Sequence, residues 1–93
     1  MDDRVTGIEV RYFAAAADAA GRDKETIELP GGADLAALRA VLIDRHGFDM
    51  ERILSVAAFL VEPGDAVGSA ALTRDLTVEA GPRVDVLPPF AGG

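Results

Sequence analysis

At 93 residues the chain has room for one hydrophobic core and one domain. Apolar residues make up 49% and charged residues 27%, ordinary globular proportions that argue against disorder. Sixteen acidic against nine basic side chains give a formal charge of −7, so the surface repels phosphate backbones and disfavours nucleic acid as a partner. A solvated acidic coat explains that charge, and so does a partner with a basic surface. No apolar run reaches membrane-spanning length and "MDDRVTG" has no signal-peptide core, which predicts a cytoplasmic protein. Cysteine is absent, removing disulfides, thiolate metal sites and a cysteine nucleophile. His46 is the one histidine; no nucleophile elbow, P-loop, dinucleotide fingerprint or metal-ligand spacing accompanies it.

"TGIEVRYF" alternates, sending Ile8, Val10 and Tyr12 one way and Glu9, Arg11 and Phe13 the other: a half-buried strand. "AAAADAAG" predicts a short helical turn stopped by Gly21. "ETIELP" is a second strand with Ile27 and Leu29 inward, closed by Pro30 and a Gly31–Gly32 turn. "ADLAALRAVLIDRHG" predicts a helix, N-capped by Asp34, with Leu35, Leu38, Val41 and Leu42 as its apolar stripe. His46 falls in its last turn, where a positive group suits the dipole, and Gly47 can take a left-handed C′ conformation.

"FDMERIL" reads as an irregular or briefly helical bridge, and "SVAAFLVE" as a third strand ending at the Pro63–Gly64 turn signal. Residues 65–77 are weakly patterned and hold at most one short strand. "EAGPR" is a turn, and "RVDVL" the last strand, with Val84 and Val86 inward and Asp85 and Leu87 outward. The economical assembly is α+β: a mixed sheet with one main helix on one face. This order suits a β-grasp arrangement, with the first and last strands parallel and central.

Parallel first and last strands would finish at the same end of the sheet. Phe13 and Leu87, both opposite the helix, would then flank the exit of the last residues. Such an apolar patch either receives a partner or is covered by Phe90 or the weakly patterned segment. Pro88 and Pro89 end the strand, having no N–H to donate, and send the tail out stiffly. Extended, residues 88–93 reach roughly 20 Å. Phe90 could anchor the tail in a groove, while Ala91, Gly92 and Gly93 form the thinnest peptide possible. The terminal carboxylate could thereby enter a buried active site. As an anion it needs activation, for instance as an adenylate, and glycine leaves its carbonyl open to attack. Glycines at a frayed end can equally be idle.

The ending "LPPFAGG", the opening "VRYFAAAADAAG" and the single main helix resemble the MoaD/ThiS family of ubiquitin-like sulfur carriers, over nearly the whole chain. The resemblance is strongest to its molybdopterin-synthase branch. It implies that Gly93 is adenylated by an E1-like enzyme, becomes a thiocarboxylate, and donates sulfur to cyclic pyranopterin monophosphate inside a larger subunit, MoaE. By position, Gly92 lies behind Gly93, and Pro88, Pro89, Phe90 and Ala91 form the inserted tail. Phe13, Leu87 and Phe59 are expected partner contacts. No cofactor or metal is expected on the chain alone; ATP and magnesium belong to the activating partner.

Three features depart from the family pattern. Ala17–Asp18 replaces a frequent Arg-Glu, no Asn closes the third strand, and Ala80–Gly81–Pro82 replaces an Asp-Gly-Asp turn. Carriage of sulfur for thiazole or cysteine formation, protein modification through Gly93, and a binding module with an idle tail are the alternatives.

Overall fold

The computed structural model describes residues 5–62 and 70–89 of the chain. Within them the order is β1 (Val5–Tyr12), α1 (Ala15–Ala20), β2 (Lys24–Pro30), α2 (Leu35–His46), α3 (Phe48–Leu54), β3 (Ala58–Glu62), β4 (Ala71–Thr73) and β5 (Arg83–Leu87). The strands form one sheet in the order β2-β1-β5-β3-β4. β1 and β5 are parallel and central, while the remaining pairs are antiparallel. This is the expected mixed sheet, and its helices pack on one face.

Strand parity builds the core. Ile8, Val10 and Tyr12 of β1, Ile27 and Leu29 of β2, and Val84 and Val86 of β5 are all buried toward the helices. Leu35, Leu38 and Leu42 of α2 meet them, as the predicted stripe requires, with Val41 only partly buried beside them. Fully burying one such aliphatic side chain is worth about 1.5–3 kcal/mol, so this shared face dominates the fold's stability.

The start of α2 is closed twice over. Asp34 accepts a hydrogen bond from the Ala37 N–H at 2.9 Å, the expected cap, worth about 1 kcal/mol. The N–H groups of Leu35 and Ala36 donate to the carbonyls of Val78 and Leu76, so the stretch before β5 satisfies donors that a helix start leaves free. Gly81 then passes against β3: a Cβ there would sit 2.1 Å from the Glu62 carbonyl oxygen. Glycine is the residue that tolerates that approach.

Two sequence expectations need correction, the cap at Gly47 and the start of the third strand, while of the two readings of "FDMERIL" the helical one holds. Gly47 has the positive φ that glycine favours, 85°, but its ψ of −158° is not that of a left-handed cap. It ends α2 and at once begins α3, so "FDMERIL" is a true helix that buries Met50 and Leu54, four residues apart on one face. The third strand starts at Ala58 rather than Ser55, because α3 runs to Leu54 and Ser55 donates its hydroxyl back to the Arg52 carbonyl at 2.6 Å. In the weakly patterned segment, β4 is the one short strand among the described residues; the Pro63–Gly64 turn lies outside them.

Candidate functional site

The parallel register pairs Arg11 with Asp85 and Tyr12 with Val86, so Phe13 and Leu87 follow at one end of the sheet. With Ala14 and Pro88 they line a cavity of about 330 Å³ where the tail begins. Phe13 is 42% exposed and Leu87 half-buried. Ala14 has a φ of 53°, the one positive value at a non-glycine residue among those described, and it turns the chain sharply into α1 beside Phe13. β5 ends at Leu87, as two following prolines dictate. Phe90, Ala91, Gly92 and Gly93, expected to carry the chemistry, lie outside the described residues.

Phe59 belongs elsewhere. It is 1% exposed, in the core between the sheet and the helices, and its side chain has no route to a partner surface. Its place across the sheet is taken by residues that the sequence reading did not single out. β3 pairs Ala58 with Leu87 and Leu60 with Asp85, and Leu60 pairs in turn with Leu72 on β4. Paired residues share a face, so Phe13, Leu87, Ala58, Leu60 and Leu72 form a curved apolar strip on the open side of the sheet. Leu72, 64% exposed, is its outer end.

Polar groups border this strip. Arg11 donates to Asp85 through both ends of its fork, Nε to Oδ1 at 2.7 Å and Nη2 to Oδ2 at 2.8 Å. The bidentate bond and the neighbouring negative charge raise the Arg11 pKa further, so the guanidinium stays charged. Asp85 is only 3% exposed although it sits on the open face, because Arg11 covers it. The Arg11 guanidinium lies 6.0 Å from the Phe13 ring centre, near enough for a weak cation–π contact that fixes one rim of the cavity. Farther along, Arg83 bridges Glu9 at 3.2 Å and Glu62 at 3.6 Å.

Behind the corner, on the helix side, Glu25 gathers four partners. The Tyr12 hydroxyl donates to it, the His46 ring nitrogen lies 2.6 Å away, and Arg45 and Arg22 approach to 3.2 and 3.7 Å. Tyr12 and His46 also meet edge to face, with ring centres 5.9 Å apart. Burial pushes the Glu25 carboxyl up, but hydrogen bonds from Tyr12 and His46 and the charge of Arg45 outweigh it, leaving its pKa below the ordinary value. Burial first, and then the bond to Glu25, raises the Tyr12 phenol. His46 is thus the helix-end residue expected of it, tied to β2. The signal for Glu25 was its parity: it faces the same way as Ile27 and Leu29.

The site contains an apolar strip, an ion-paired border and a chain exit. Among the described residues it has no nucleophile–base pair and no group of three metal-ligating side chains. No described helix is long and apolar enough to cross a membrane.

The ThiS family model matches residues 10–93. A solved structure from Pyrococcus furiosus, provisionally identified as molybdopterin converting factor subunit 1, is 26% identical with a TM-score of 0.62, over 91% of this chain and 99% of its own. Small archaeal modifier protein 1 (SAMP1) from Haloferax volcanii has a TM-score of 0.70 at 24% identity, over 94% of this chain and 99% of its own. SAMP1 from Methanosarcina acetivorans has a TM-score of 0.57 at 17% identity, over 97% and 99%. At those identities the two SAMP1 structures speak to the fold. No curated protein matches the chain. With a family match over residues 10–93 and a mixed sheet that its structural neighbours share, this chain belongs to the ThiS family and has its ubiquitin-like β-grasp fold.

Proposed function

We propose that the chain is the sulfur-carrying small subunit of a molybdopterin synthase. The observation that carries this reading is a family match running through residue 93, joined to a strand that ends at Leu87, before Pro88–Pro89, beside an open apolar strip. An E1-like enzyme, holding ATP and magnesium, transfers AMP to the Gly93 carboxylate with loss of pyrophosphate. A sulfur nucleophile then displaces AMP to leave a thiocarboxylate. Gly92 and Ala91 keep the peptide slender enough for a buried active site, Phe90 anchors it, and Phe13 and Leu87 dock against a MoaE-like large subunit. There the thiocarboxylate gives its sulfur to cyclic pyranopterin monophosphate. The name of the Pyrococcus furiosus neighbour favours this acceptor.

A second reading is that activated Gly93 is joined to a lysine of a target protein; the two SAMP1 neighbours, similar in fold, are named as modifiers. Mixing the thiocarboxylated chain with a large subunit and the pterin precursor separates the two. Molybdopterin formation, with return of the chain to its carboxylate, is the expected result. A chain that keeps its sulfur there, yet forms amide-linked adducts with other proteins when activated, is a modifier instead.

A further inference from the structure

An activated acyl group reacts with primary amines, and this sequence contains one lysine, Lys24, beside eight arginines. Arginine stays protonated and is no acyl acceptor near neutral pH. Lys24 opens β2, an edge strand of the sheet. It pairs with Arg11, which pairs with Asp85, so its side chain stands on the open face with Phe13 and Leu87, toward the end where the tail departs. The side chain is 69% exposed, and its one ion pair among the described residues, to Glu9 at 4.0 Å, is too weak at that exposure to hold the amine.

The sheet's own spacing sets the distance. β2 lies two strand spacings of about 4.8 Å from β5, and Pro88 lies three residues of about 3.3 Å beyond Asp85, which places Lys24 about 14 Å from the start of the tail. Residues 88–93 reach roughly 20 Å when extended, before the lysine stem is added. Val5, by contrast, begins β1 about 25 Å from this end.

We propose that Lys24 is the acyl acceptor for the chain's own activated C-terminus, so that Gly93, activated without a sulfur donor at hand, is captured as one defined isopeptide bond. This rests on the reading that Gly93 is adenylated. The deprotonated Lys24 amine attacks the Gly93 carbonyl carbon and a C–N bond forms. The C–O bond to AMP breaks, AMP leaves with the electron pair, and the surplus amine proton passes to solvent. The ATP already consumed in adenylation drives the step, and the captured chain can no longer accept sulfur. A lone lysine could be mere compositional bias toward arginine; its place on the tail's own face and end of the sheet is what gives it a role.

The test activates Gly93 without any enzyme, by preparing the full chain as a C-terminal thioester through intein cleavage. The chain is incubated at mildly alkaline pH over a dilution series, then weighed intact and after trypsin. Cleavage after Arg22, Arg39 and Arg83 leaves peptide 23–39 carrying the branch 84–93 on Lys24. That peptide is expected, with thioester loss on the order of tenfold faster than in Lys24→Arg, as a tethered reactant at millimolar effective concentration requires. A rate independent of dilution assigns the bond to the chain's own tail, and one that rises with concentration assigns it to a second copy. Hydrolysis alone at the rate of Lys24→Arg, or a branch only on the N-terminal amine, overturns the proposal. In parallel, the free acid is given ATP and an E1-like enzyme without a sulfur donor. A chain that closes as a thioester but is never adenylated keeps its acceptor lysine and loses the carrier reading.

Discussion

Replacing Glu25 by alanine removes the shared acceptor of Tyr12, His46, Arg45 and Arg22. The buried Tyr12 hydroxyl would lose its partner, at about 1–3 kcal/mol for an unsatisfied buried donor. The mostly buried His46 would add about 1 kcal/mol by the same reasoning. Arg45 and Arg22 are half-exposed and recover water, so each contributes only about 0–0.5 kcal/mol. The sum is about 2–5 kcal/mol, a large part of the 5–15 kcal/mol typical of a domain. At roughly 4–8 °C per kcal/mol for a domain of this size, the midpoint should fall by about 8–40 °C. Glu25→Gln keeps an acceptor for Tyr12 and should cost about half as much. Urea and thermal unfolding of the three proteins read this directly. A Glu25→Ala midpoint within ~0.5 kcal/mol of the parent would refute the reasoning and reduce the cluster to surface decoration.

Other expectations follow from the same geometry. Because the Glu25 pKa is lowered on folding, its stabilisation is complete above the ordinary glutamate value of 4.5 and is lost as pH falls through the lower folded value. Unfolding free energies measured downward from pH 5 should therefore decline more steeply in the parent than in Glu25→Gln, and parallel curves would contradict this. Gly81→Ala pushes a methyl group into the Glu62 carbonyl and should destabilise by about 2 kcal/mol or more in denaturant melts. Phe13→Asp and Leu87→Asp should leave the melt almost unchanged and weaken binding to the large subunit by about 2 kcal/mol each, roughly thirtyfold by calorimetry. Unaltered affinity would remove the apolar strip from the docking surface.

Much of the fold was legible because parity and helical spacing repeat long enough to read. β1 shows four alternations, and α2 carries its stripe and its cap within one run. Where the sequence misled or left two readings open, the pattern was too short or needed a partner to interpret. "FDMERIL" offers only Met50 and Leu54 as a helical pair, and it follows a glycine that more often ends a helix than joins two. In "SVAAFLVE" the outward Glu62 implied that Phe59 and Val61 face the core, yet the expectation of Phe59 as a partner contact ignored that parity. Asp85 was correctly placed on the open face, but a strand pattern cannot reveal that Arg11 lies over it, since this depends on the β1–β5 register. The same dependence hid Leu60 and Leu72, whose neighbours become known only when β3 and β4 are paired.

The central claim is that Gly93 carries sulfur, and intact mass spectrometry tests it most directly. The chain, and a variant ending at Gly92, are incubated with ATP, magnesium, an E1-like enzyme proven on its own carrier, and a sulfur donor. Exchange of one oxygen for sulfur, mapped to Gly93, is expected in the full chain alone, with both chains equally folded. An unmodified full chain, or the same exchange in the truncated one, would contradict it.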